Sequence, residues 1–201
     1  MPPTPRDQIL QRVSAACPTT GPALPPQVPA EPVADRLALF ARELAALDGE
    51  LIVADDAAQA AAQLAALLPD AEAMWFVADK PLTQQVADHL TPKRATRAQM
   101  ADCLASLTEA EYVIADTATV GLRLDAAQPR SCYLLPEANV VVARREGMLL
   151  TLGEALVDLE RRGGLPTGFV FITGPSRTAD IEKTVVIPAH GPKRLIVVLL
   201  P

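Results

Sequence analysis

Aromatic side chains are nearly missing from this chain: one tryptophan, two tyrosines and four phenylalanines make up 3% of it. So few rings offer no platform on which nucleobases stack, and the core has to pack from small and branched aliphatic side chains. An excess of positive charge is missing too. Lys and Arg number 18 against 24 Asp and Glu, and the formal charge of -6 has the wrong sign for a binder of the phosphate backbone. Nucleic acid is therefore not an expected partner. The three cysteines, Cys17, Cys103 and Cys132, are odd in number, far apart and without CxxC spacing, which excludes a cysteine-ligated zinc or iron-sulfur centre and fits a reducing compartment. No apolar stretch approaches the roughly 20 residues that span a bilayer, and MPPTPRDQILQRV has no apolar run of the signal-peptide kind. The expectation is a cytoplasmic chain without a membrane anchor.

What is present is an aliphatic α/β pattern. Half of the 201 residues are hydrophobic, enough for one sizeable core. Residues 1–34 read as a short helix from Arg6 to Ala16, with Ile9, Leu10 and Val13 at helical spacing, followed by a proline-rich linker that cannot continue it. From residue 35 to 201 the pattern becomes regular. RLALFARELAAL, Asp56–Leu68, Leu82–Leu90 and Leu152–Arg162 have helical periodicity, and Thr96 is the expected cap of a further helix running to about Leu107. LIVAD, AMWFVAD, EYVIAD, NVVVARR, GFVFITG and RLIVVLL have the length and composition of buried strands, and SCYLLP is another extended run. Helices alternating with fully apolar strands predict a three-layer α/β sandwich, its sheet mostly parallel with helices on both faces and antiparallel additions in the middle.

In open sheets of this kind ligands sit outside the carboxyl ends of the strands, which directs attention to the turn after GFVFITG. It reads T-G-P-S-R-T-A-D-I-E. Gly174 permits a tight turn, and Ser176 or Thr178 can cap a short helix whose free N–H groups suit an anion, with Arg177, Lys183, Lys193 and Arg194 adding positive charge. The alternative is a plain helix cap with solvated basic neighbours. Asp180 and Glu182 diverge in a helix but share one side of an extended segment, where they form an acid/base pair or metal ligands. His190 titrates near neutrality if it meets them, or else holds the His190-Gly191-Pro192 turn. Neither histidine has a partner at the spacing of a metal motif, so no resident metal is expected. A second candidate is the Ala115–Val120 turn, where Asp116, Thr117 and Thr119 either cradle a ligand or serve as hairpin residues.

The string ITGPSRTADIEKTVV followed by AHGP, residues 172 to 192, resembles the C-terminal signature of the lactate utilization protein C (LUD domain) family, S-x-T-A-D-I-E and then H-G-P. ADTATVGLRL, LLPEANVVVARRE and RDQILQRVSAAC are similar to further segments of that family. Asp116 stands where the family usually has Glu and Ala118 where it usually has Gly, a change that disfavours a positive φ. The resemblance implies a fold like that of the sugar-phosphate isomerase and CoA-transferase superfamily. It also implies a part in oxidising L-lactate to pyruvate beside iron-sulfur partner proteins, this chain having no cofactor of its own. Asp180, Glu182 and His190 would then be the catalytic or proton-handling groups, with Gly174, Ser176, Arg177, Thr178, Gly191 and the Asp116–Thr119 turn around a small carboxylate or other anion. Two other readings of the chain stay open: a stand-alone isomerase or acyl/CoA transferase-like enzyme with Glu182 as base or nucleophile, and a protein-interaction module.

Overall fold

The computed structural model describes residues 4–16, 33–70, 73–163, 166, 168–176, 178–179, 185–186 and 191–201. Helix α1 (Pro5–Ala16) buries none of its residues. Helix α2 (Arg36–Ala46) starts at Asp35, whose carboxylate accepts the Ala38 N–H at 2.9 Å, and turns Phe40 and Leu44 inward. Strand β1 (Glu50–Val53) leads to α3 (Ala57–Leu67), capped in the same way by Asp56 on the Gln59 N–H at 2.8 Å. These carboxylates satisfy helix donors that would otherwise lack partners. Strand β2 (Met74–Val77) is followed by α4 (Pro81–Leu90), which starts on a proline and ends at Thr91 in the left-handed region.

The chain continues through β3 (Lys93–Arg94), a 3-10 turn (Arg97–Asp102), β4 (Ala105–Glu109), β5 (Tyr112–Ile114), β6 (Thr119–Arg123), a second 3-10 turn (Arg130–Tyr133) and β7 (Ala138–Arg144). Then come α5 (Leu152–Arg161), β8 (Phe169–Thr173), β9 (Thr178–Ala179), β10 (Val185–Val186) and β11 (Arg194–Leu200). Six strands form one parallel sheet in the order β1-β11-β7-β4-β2-β3. Strands β5, β6 and β8 form a separate antiparallel sheet, and β9 pairs with β10 in an antiparallel ribbon.

Side chains alternate across the parallel sheet as the two-residue period of a strand demands. Ile196, Val198 and Leu200 of β11, with Val140 and Val142 of β7, meet Leu64 of α3 and Val86 of α4 on one face. Leu195, Val197 and Leu199, with Val141 and Ala143, meet Phe40 and Leu44 of α2 and Val120 and Leu122 of the small sheet on the other. Each such fully buried aliphatic side chain contributes about 1.5–3 kcal/mol. Helix α5 lies outside the small sheet, packing Ala155 and Leu159 on Tyr112 and Ile114. The α/β class, the mostly parallel sheet and the helices on both faces are as the sequence predicts, with the small sheet completing one of the helical layers.

Three local expectations are corrected. The helix expected from Thr96 to Leu107 stops after a short 3-10 run: Thr96 does open it, its N–H and hydroxyl donating to Gln99 Oε1 at 3.0 and 2.8 Å, but Ala105–Glu109 is a central strand. There Ala105 and Leu107 face one side, while the buried Ser106 and Thr108 hydroxyls both reach Asn139 on the neighbouring strand. SCYLLP, expected to be extended, supplies the second 3-10 turn instead, Cys132 N–H bonding to Pro129 O. GFVFITG is a strand, but a half-buried member of the antiparallel sheet and not of the parallel one.

Candidate functional site

The pairing of β8 decides where a ligand can sit. Because β8 lies over the face of the parallel sheet, a cavity of about 470 Å³ opens between Val170–Thr173 on one side and the first residues of β7 and β11, Asn139, Arg194 and Leu195, on the other. Gly174, Pro175, Ser176, Gly191 and Pro192 close one end of it, and Tyr133 and Leu134 another. This cavity is at the amino ends of the parallel strands, whereas the sequence reading looked to their carboxyl ends. The turn singled out from the sequence is nevertheless part of its wall.

At the carboxyl ends the chain's own charges occupy the crevice. Glu109 Oε2 accepts the Leu82 N–H at 2.8 Å in the first turn of α4, where an anionic ligand would otherwise be welcome. Gln128 brackets the Glu109 backbone, accepting its N–H at 2.7 Å and donating to its carbonyl at 2.9 Å. Lys80 pairs with Asp125 and holds that carboxyl below its ordinary range, while Arg123 forks onto Glu111 at 2.9 and 3.1 Å.

Around the cavity the two halves of the signature meet. Ser176 N–H donates to Pro192 O at 3.1 Å, and Gly191 packs so closely that a Cβ on it would lie 3.0 Å from Ser176 Oγ. Gly191 has a φ of 93° and Gly174 one of 77°, the left-handed region that glycine enters without strain. A Cβ at Gly174 would also meet Leu47 Cβ at 3.1 Å, behind α2. Thr178 and Ala179 are extended and paired with Val186 and Val185, so the short helix expected to be capped by Ser176 or Thr178 is not what the chain forms at those two residues. Arg177, Asp180, Glu182, Lys183 and His190 lie outside the described residues.

The second candidate segment is joined to the first by the β6–β8 pairing, in which Thr119 stands opposite Thr173. The hydroxyls of Thr117 and Thr119 are 2.8 Å apart and those of Thr119 and Thr173 2.6 Å apart, a chain of three that ends at the cavity wall. Asp116 is exposed at the hairpin tip and is not among the residues lining the cavity. Ala118 takes a φ of 48° despite its Cβ, which corrects the expectation that it would avoid that region; its methyl is fully buried, which helps offset a strain of about 1–2 kcal/mol.

Sequence reasoning missed Asn139. It is 2% exposed and faces the cavity at the start of β7, and its Oδ1 accepts the Ser106 and Thr108 hydroxyls, each at 3.2 Å. Among the described residues its amide nitrogen makes no hydrogen bond. The only clue in the sequence was a polar residue heading an otherwise aliphatic strand. Arg194, expected to add positive charge, is engaged elsewhere: Nε and Nη2 donate to the two Glu50 carboxylate oxygens at 2.7 Å each, a pairing that raises its pKa further. Tyr133, also at the cavity, has its phenol pKa raised by burial. Cys132 is fully buried, with its thiol pushed up to about 12, and Cys103 is raised for the same reason. Among the described residues no cluster of His, Cys, Asp and Glu is arranged to hold a metal ion.

These features define an α/β protein with a cavity wedged between its parallel sheet and an antiparallel flap at the amino ends of the strands. The LUD domain matches residues 37–200, and the chain belongs to that family. It is 31% identical over 115 residues to lactate utilization protein C of Halalkalibacterium halodurans, an alignment covering 55% of this chain and 49% of that one. The protein of the same name from Shouchella clausii is also 31% identical, over 109 residues, with 52% and 47% covered. In such alignments the chain spans about half the length of the curated relatives it matches. A crystal structure of a DUF162 family protein from Deinococcus radiodurans has the same fold, with a TM-score of 0.61, 21% identity, and 83% of this chain and 96% of that one covered.

Proposed function

We propose that this LUD-domain chain takes part in the utilisation of L-lactate, as a component without a redox centre that holds a small carboxylate or other anion and works with iron-sulfur partner proteins. The relatives carrying the name lactate utilization protein C support the pathway. The observation that carries the site is the meeting of Ser176 and Gly191, from the two halves of the signature, at the end of the cavity. Arg177 follows Ser176 and His190 precedes Gly191 in the chain, so the anion belongs at that end, with Asp180, Glu182 and His190 as its polar anchors or proton handlers.

Deleting the gene should abolish growth on L-lactate as carbon source while leaving growth on glucose intact, and affinity capture of the tagged chain from lactate-grown cells should bring down proteins with iron-sulfur absorbance. Normal growth of the deletion strain on lactate would refute the reading.

A further inference from the structure

The end of the cavity that rests on the parallel sheet is built unlike its signature end. Val170 and Ile172 of β8 pack toward Leu195 of β11, and Leu134 stands beside them, so the wall there is hydrocarbon. Water held against such a wall is released when an apolar body covers it. A volume of about 470 Å³ lies within the range of roughly 300–1,000 Å³ typical of pockets that enclose small organic ligands.

Most polar side chains on the wall are already bonded. Thr173 shares a hydrogen bond with Thr119, and Ser176 has partners of its own. Arg194 donates from all three guanidinium nitrogens, to Glu50 and to the Leu67 carbonyl. Asn139 differs. It is 2% exposed, its Oδ1 accepts from Ser106 and Thr108, and its amide nitrogen has no partner among the described residues. Because no fully buried side-chain nitrogen or oxygen among the described residues lacks a partner, that nitrogen is not sealed in the core and opens on the cavity. The Tyr133 phenol, kept protonated by burial, makes no hydrogen bond among the described residues either. Both groups are neutral donors, and leaving such a donor unmatched in a filled site is costly. A neutral acceptor answers them without taking a charge out of water, whereas a carboxylate at the sheet end would meet no free cation among the described lining residues.

Going beyond the anion assigned to the signature end and independent of it, we propose that the sheet end of the cavity binds a neutral carbonyl compound with an aromatic or branched aliphatic body. The carbonyl oxygen accepts from the Asn139 amide, and the body lies against Leu134, Val170, Ile172 and Leu195.

Equilibrium dialysis of the full chain against 2-acetylnaphthalene, 2-ethylnaphthalene and 2-naphthoate tests this, since the three share one ring system and carry a neutral acceptor, no acceptor and an anion. The ketone should bind about tenfold more tightly than the naphthoate. Asn139→Ala, in a variant with native circular dichroism, should weaken the ketone about tenfold without weakening the hydrocarbon. Because that change leaves two buried hydroxyls without an acceptor, Leu134→Ala, at a residue 45% exposed, serves as a second variant and should weaken ketone and hydrocarbon alike, several-fold. Naphthoate binding as tightly as the ketone would overturn the inference and leave the carboxylate reading of the cavity standing. An equal response of ketone and hydrocarbon to Asn139→Ala would take the amide out of recognition and overturn it too, as would binding indifferent to Leu134→Ala or no binding of the ketone at all.

Discussion

Replacing Gly191 by alanine tests whether the signature turn is built around a close backbone approach. Gly191 and Gly147 both have positive φ, 93° and 78°, so a Cβ at either brings a backbone strain of about 1–2 kcal/mol. Alanine also narrows the unfolded ensemble, returning about 0.4–1 kcal/mol. At Gly147 nothing lies within 4 Å of the added methyl, so the net cost there should be about 1 kcal/mol. At Gly191 the methyl would meet Ser176 Oγ at 3.0 Å and Cβ at 3.2 Å, and Ser176 is tied by its N–H to Pro192 O and cannot retreat freely. Overpacking of this sort adds about 1–3 kcal/mol, for a total of about 2–4 kcal/mol. Urea denaturation followed by far-ultraviolet circular dichroism should therefore place the midpoint of Gly191→Ala clearly below that of Gly147→Ala, with the slope unchanged. Equal midpoints would mean that the contact between the two signature halves is not the close one described here.

Three further outcomes are expected. The Tyr112 phenol, buried and donating to Asp158 Oδ2 at 2.7 Å, has its pKa raised from 10 to about 12. A raised folded value means that the stabilisation is complete below pH 10 and is lost as pH rises toward 12, so urea midpoints between those values should fall more steeply for the native chain than for Tyr112→Phe; parallel curves would refute it. Cys103 and Cys132, buried and shifted toward the protonated thiol, should react with a thiol reagent at neutral pH only after urea is added, and immediate modification of either in the native chain would contradict their placement. Thr91, exposed and β-branched at a φ of 46° after α4, should give a chain about 0.5–1 kcal/mol more stable when changed to glycine, by the same urea assay; a lower midpoint would show that its side chain matters more than its strain.

Where local chemistry suffices, the structure was legible in the residues. Asp35 and Asp56 precede apolar periodicity and cap α2 and α3, and the unbroken aliphatic run of β11 is buried on both faces. The 96–107 segment misled because Thr96 is a true cap, and a cap says where a helical turn begins and nothing of its length. Ser106 and Thr108 are polar in a central strand only because Asn139, more than thirty positions away, receives their hydroxyls. No local pattern announces such a partner.

The candidate site divides along the same line. The signature turn was visible as glycines, a proline and short polar residues that no helix or strand interior favours, and it does border the cavity. Which end of the sheet that cavity opens on depended on β8, whose apolar sequence suits a parallel or an antiparallel neighbour equally. The family, the α/β class and the residues of the turn were determined by composition, period and motif, all properties of neighbours in the chain. The cavity at the amino ends, the neutralising of Arg194 by Glu50 and the placing of Asn139 at the cavity wall were decided only in three dimensions, because each depends on pairing between segments far apart in sequence.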